Sequence, residues 1–218
     1  MAHEAERLGR RRGSLLFTHS SRRLPRGLLR RQVSMSNKVV KWKRWLDVAS
    51  HDCANVLLSR DMFRDLHRMI EKNPKMQQAD YFHEYMEDTY VAHVLMMVRK
   101  HLKRSSDSIS LAALASDLHA NRAVAPDTNF TDEIRIKLDQ FEQNAKKLES
   151  FADRVIAHSD KRKPSYTPTF DDVEKAIDAM DKLCVQCSSA LAVDYNATCK
   201  PTVQYGWLMI FREMGIET

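Results

Sequence analysis

The chain has 218 residues, enough for one domain of ordinary size plus extensions. Only five glycines and six prolines interrupt a dominant helical period, which predicts an all-α protein, and no apolar run approaches the ~20 residues that span a bilayer. The net charge of +6 suggests nucleic acid until it is divided: residues 1–34 hold nine arginines against Glu4 and Glu6, a surplus of seven, so residues 35–218 carry −1.

Residues 1–34 form an Arg-rich, acid-poor segment with no pattern that buries apolar area, so disorder is expected there. Three origins fit this composition. Translation could begin at Met35, where "MSNKVVKWKRWLD" opens like a cytosolic protein; the segment could be a basic arm; or it could be a mitochondrial targeting peptide. The body, residues 35–218, is read as one helical-bundle domain.

A first helix is predicted from about Val39 through "WLDVASHDCANVLLSRDMFRDLHRMIEKN", with a bend near Ser59–Asp61 and a stop at Asn73-Pro74. A second covers roughly Gln77 to Lys103. Its residues Phe82, Tyr85, Met86, Tyr90, Val94 and Met97 recur at three and four, the core stripe of a bundle helix. After a polar turn comes a short third helix in "SSDSISLAALASDL", with Ser108 or Ser110 as N-cap. Residues 121–129 read as a loop, and a fourth helix runs from Phe130–Asp132 to about His158. A fifth opens with Thr169 as N-cap and Asp172 at N3 and extends to about Val193. "TVQYGWLMIFREMG" closes the chain as a short apolar element in need of a docking surface. Short connections make the whole an up-and-down bundle of four to five helices with mostly antiparallel neighbours.

Four cysteines, at 53, 184, 187 and 199, make no disulfide framework in a chain of this length. Cys184 and Cys187 form a C-x-x-C on the fifth helix, but no second ligand pair at finger spacing follows, so buried packing residues and no metal are expected.

On a helical wheel with Val155 at zero, Ile134, Phe141, Leu148, Phe151 and Ala152 form the apolar band of the fourth helix. His158 falls at about −60° and Arg154 at about −100°, both on one edge of that band, with Asp153 on the far side. Lys161, Arg162 and Lys163 crowd the same helix end. An arginine fork and a histidine that titrates near neutrality could handle a phosphate. The same residues also suit a plain helix C-terminus, where the macrodipole favours cations.

The segments "MMVRKHLKRSSDSISLAALASDL" and "ADRVIAHSDKRKPSYTPTFDDVEKAIDAMDKL" resemble the HEPN superfamily, and within it the abortive-infection U-type domains of bacteria, over about residues 38–200. The resemblance implies a dimerising helical bundle. Many such domains are metal-independent ribonucleases that pair an arginine with a histidine, four to six residues lying between the two, in a cleft between protomers. Others are inactive binding modules. Here His158 matches the motif histidine, while Ala152 stands where the motif places arginine; Arg154, Arg99 or Arg162 could substitute.

Two functions follow from the resemblance. One is a phage-defence or toxin-type ribonuclease with His158 and Arg154 catalytic and Arg99, Lys161, Arg162 and Lys163 holding RNA. The other is a degenerate dimer that binds RNA, a nucleotide or a protein such as an antitoxin. A cytoplasmic location and no cofactor accompany both. The sequence has no H-E-x-x-H and no Gly-rich phosphate loop, and the near-neutral body permits a local site on single-stranded RNA but not broad duplex binding.

Overall fold

The computed structural model describes residues 26–78, 81–105, 107–153, 166–193, 198–202 and 206–218, with side chains from Met35 onward. Six α-helices occur among them: α1 Arg26–Lys72, α2 Tyr81–Leu102, α3 Leu111–Ala120, α4 Thr131–Phe151, α5 Phe170–Ala190 and α6 Met209–Glu213. Four are long and two short, and the described residues contain no strand, as the helical period predicts.

α1 is one continuous 47-residue helix, ~70 Å at 1.5 Å per residue. It begins at Arg26, well before the expected start near Val39 and inside the segment expected to be disordered. Once packing from Trp42 onward fixes the helix, its extension through Arg, Leu and Gln adds one bond per residue at little cost. Trp42, Leu46, Ala49, Cys53 and Val56, spaced four and three apart, are all buried. Arg60 continues that seam and is matched by acid on α5, lying 2.6 Å from Asp178 and 3.5 Å from Glu174.

α5 is the central helix, and α4 packs on it most extensively, with α1, α2 and α3 closing around the pair. Val173, Ala176, Ile177, Met180, Leu183, Cys184, Cys187 and Ala190 give it a wide buried band. The Thr169–Asp172 capping box is present: the Thr169 side chain accepts from the Asp172 N–H and the Asp172 carboxylate accepts from the Thr169 N–H. At the other end Ala192 adopts φ 49°, and the N–H groups of Val193 and Ala192 return to the carbonyls of Ser188 and Ser189. That is a Schellman cap with alanine in the left-handed position that glycine favours.

α4 buries Ile134, Phe141, Leu148 and the following Ala152, the band read from the wheel. α3 starts at Ser110, whose hydroxyl accepts from the Ala113 N–H at 3.1 Å; of the two candidate caps, Ser110 is the one used.

The stripe expected on α2 needs correction. Tyr90 and Val94 are buried and Met97 packs against the core, but Phe82 and Tyr85 are more than half exposed. The apolar period persists along the whole of α2, whereas Phe151 of α4 and Phe170 and Val173 of α5 line a cavity with Glu87, Asp88, Val91 and Ala92, beyond its first turn. Beside the first turns stand α1 and the C-terminal segment, and Phe82, Met86, Met62, Phe63, Trp207 and Phe211 line a cavity of about 270 Å³ there. The terminal apolar element thus finds its dock through Trp207 and Phe211. No helix among the described residues is long and apolar enough to cross a membrane.

Candidate functional site

Arg99, in the last turn of α2, is the one predicted site residue within the described structure. Arg154, His158, Lys161, Arg162 and Lys163 lie outside the described residues. The antiparallel run of α2 along α4 carries Arg99 to the end of α4, where its Nε donates to Asp153 Oδ1. Just past the end of α2, Arg104 pairs with Glu142 of α4. Arg99 is four-fifths covered and Asp153 about half exposed, so the guanidinium is held in place beside the residue that precedes Arg154. Its Nη groups make no other hydrogen bond among the described residues. Ala152, the position where the motif arginine would fall, is completely enclosed. An arginine there would drive a charge into the hydrophobic core.

A second polar group, missed by the sequence reading, sits two residues along α2. His101 is fully buried. Its Nδ1 accepts the Leu111 N–H at 3.2 Å, which places the ring proton on Nε2, and Nε2 faces Asp52 Oδ2 at 3.2 Å. Lys100 Nζ donates to the same carboxylate at 2.6 Å. The His101 hydrogen bond, with Lys100 behind it, holds the Asp52 carboxyl down to a pKa of about 2. With both ring nitrogens engaged and no surface open to solvent, His101 cannot reach a substrate. It ties α1, the end of α2 and the start of α3 together, joining the turn around Ser110 to the bundle.

Asp117 makes the equivalent tie for the other end of α3. Its Oδ2 accepts from Trp42 Nε1 at 2.8 Å and Lys41 Nζ at 3.1 Å.

The four cysteines are buried, as expected, but their arrangement was invisible in the spacing. The sulfurs of Cys53, Cys184 and Cys199 all lie within 4.8 Å of one another. The neighbouring sulfurs of Cys199 and Cys53 lower the pKa of Cys184, whereas burial drives Cys187 well above the usual thiol range. Asp181 borders the cluster, accepting from the Cys199 N–H at 2.7 Å and from Thr198 Oγ1 at 2.7 Å. Burial pushes its carboxyl upward.

A second cavity, of about 450 Å³, opens between α2 and the chain on either side of residues 154–165. Glu87, Asp88 and Val91 line it from α2, Phe151 from α4, and Thr167 and Phe170 from the entry to α5.

Residues 40–201 match the AbiU2 family of HEPN domains, a span running from within α1 through the whole of α5. The chain belongs to that family. The match includes α2, the capped turn into α3, α4 and α5, the elements whose sequences carry the resemblance. As an AbiU2 HEPN domain, the protein is assigned to the abortive-infection class. Comparison with curated proteins and with solved structures finds no match.

Proposed function

We propose that this AbiU2 HEPN domain acts on RNA as a metal-independent ribonuclease, with His158 transferring the proton and Arg154 holding the phosphate. The observation that carries this reading is the Arg99–Asp153 pair. It fixes a guanidinium at the end of α4, next in the chain to Arg154, and leaves its Nη donors available. RNA cleavage by this route needs a base for the 2′-OH, an acid for the leaving oxygen and cations on the phosphate. His158 supplies the first two functions in turn if two protomers contribute one each, which is why the reading includes a homodimer whose α4 ends face one another. In this reading Lys161, Arg162 and Lys163 supply further cations to the bound RNA. Defence against phage and control by an antitoxin-type partner belong to the same reading.

The enclosed Ala152 favours a second reading, a catalytically degenerate dimer that binds RNA, a nucleotide or a protein without cleaving. One experiment separates the two. Purified full-length chain is incubated with total RNA, with and without EDTA, beside His158→Ala. The ribonuclease reading expects EDTA-resistant cleavage that His158→Ala removes. Intact RNA in every lane, with retained binding, supports the degenerate module, and cleavage unchanged in His158→Ala rejects the site.

A further inference from the structure

Three of the chain's four cysteines meet at one point although they come from three separate parts of the sequence. Cys53 lies on α1, Cys184 on α5, and Cys199 on the segment 198–202 that follows α5. All three are buried, and their sulfurs lie within 4.8 Å of one another. Around a tetrahedral zinc ion, with Zn–S near ~2.3 Å, sulfurs stand ~3.8 Å apart. The cluster therefore needs a contraction of an ångström or less to close on such an ion. Cys187, one turn along α5, is equally buried yet does not join the group, so burial alone does not bring the cysteines together.

The surroundings suit a held ligand rather than loose packing. Asp181, one turn before Cys184 on α5, fixes the third sulfur from behind. Its Oδ1 accepts the Cys199 backbone N–H at 2.7 Å, and its Oδ2 accepts from Thr198 Oγ1 at 2.7 Å. The same Oδ1 accepts from the Cys53 thiol at 4.0 Å, so the carboxylate borders the cluster without joining the three sulfurs. Lys200 pairs with Asp61 of α1 and secures the segment on its outer side. Soft sulfur donors with at most one oxygen select zinc or monovalent copper over magnesium or calcium.

We propose that Cys53, Cys184 and Cys199 bind one thiophilic metal ion, zinc above all, as a structural site that pins the chain after α5 onto α1 and α5. Binding displaces the three thiol protons to solvent and leaves three metal–thiolate bonds, with no change of oxidation state. The site shares no residue with the RNA-directed region and stands or falls independently of that reading. Its consequence is local. Segment 198–202 leads to Trp207 and Phe211, so a metal there sets where the C-terminal element begins its return to α1 and α2.

The test uses the full-length chain purified under reducing conditions without a histidine tag. Elemental analysis should find about one zinc per chain, the stoichiometry of a single structural site. Metal-free protein titrated with Co²⁺ should develop the visible bands of tetrahedral cobalt and sulfur-to-metal charge transfer in the near ultraviolet. Cys199→Ser, placed in a segment rather than a core helix, should lose metal to background, and Cys187→Ala should retain it. Wild-type protein that takes up neither zinc nor Co²⁺ while fully reduced overturns the proposal, and so does metal retained in Cys199→Ser. A mass two daltons low without reductant, with no metal bound in either state, assigns the cluster to a disulfide instead. The cobalt titration needs no variant, so a substitution that fails to fold does not remove the test.

Discussion

Two neighbouring residues of α2 meet carboxylates in opposite ways. His101 is enclosed, its two nitrogens committed to Asp52 and to the Leu111 N–H, and nothing else can reach it. Arg99, half a turn away, spends one nitrogen on the half-exposed Asp153 and keeps the rest of its fork. A buried polar group whose every valence is satisfied specifies the fold, because any rearrangement strands a donor or acceptor. A partly covered group with donors to spare costs little to hold and can still bind a ligand. The difference separates a histidine committed to the fold from an arginine with donors left over.

The sharpest way to break that contrast is at the histidine assigned to chemistry. His158→Ala should lower RNA cleavage by ~10²–10⁴-fold, the usual worth of a positioned proton-transfer group, with the melting temperature nearly unchanged. Rate measured on RNA at constant salt, together with a thermal melt, checks both halves. A protein that loses stability but not rate would make His158 a structural residue and reject the site.

Next in size is the enclosed pair. Asp52→Ala removes the acceptor of His101 Nε2–H and leaves a buried donor unsatisfied, which should cost about 1–3 kcal/mol in denaturant unfolding. Asp52→Asn should cost less, since its amide oxygen can still accept. RNA cleavage by the folded fraction should not change in either.

Acid tests the same group without mutation. The Asp52 carboxyl is held at a pKa of about 2, below the ~3.9 of an unfolded chain. The unfolded state therefore binds the proton first. The stabilisation from the Asp52–His101–Lys100 contact is fully present above about pH 4 and lost as pH falls toward 2. Unfolding followed from pH 5 to 2 should show Asp52→Asn converging on the wild type at the acid end. Parallel curves throughout would remove Asp52 from the account.

What the sequence made legible divides along similar lines. The capping box at Thr169–Asp172, the Ser110 cap and the buried face of α4 are local, each decided by residues three or four apart, and the structure contains all of them. Apolar spacing could not say how far α4 and α5 extend beside α2, so Phe82 and Tyr85 read as core although their side of the helix is largely open. The Asp52–His101 tie and the meeting of Cys53 with Cys184 and Cys199 join residues far apart in the chain, and nothing in the spacing of either partner signals the other. Of the candidate site, the sequence named Arg99 but not its anchor: the wheel put Asp153 on the face away from His158 without showing that α2 runs beside it.

The smallest effect lies in the anchor itself, and its interest is in what salt does to it. An ion pair with one partner about half exposed contributes ~0–1 kcal/mol, so Asp153→Ala should barely move the unfolding midpoint. Whatever it contributes should shrink between 0.05 and 0.5 M salt, because screening falls to within ~10 Å or less over that range. The Asp52–His101 contact, sheltered from counterions, should keep its worth over the same span. Function should diverge from stability. Freed from Asp153, the Arg99 fork is no longer held at the end of α4, and the entropy of fixing it falls on RNA binding instead. Asp153→Ala is therefore expected to weaken RNA affinity by a few-fold at low salt despite removing a negative charge, and Arg99→Ala by roughly tenfold, the worth of a charge-assisted contact. An RNA affinity that rises in Asp153→Ala would mean that the carboxylate competes with phosphate for Arg99, making the pair a brake on the site rather than its support.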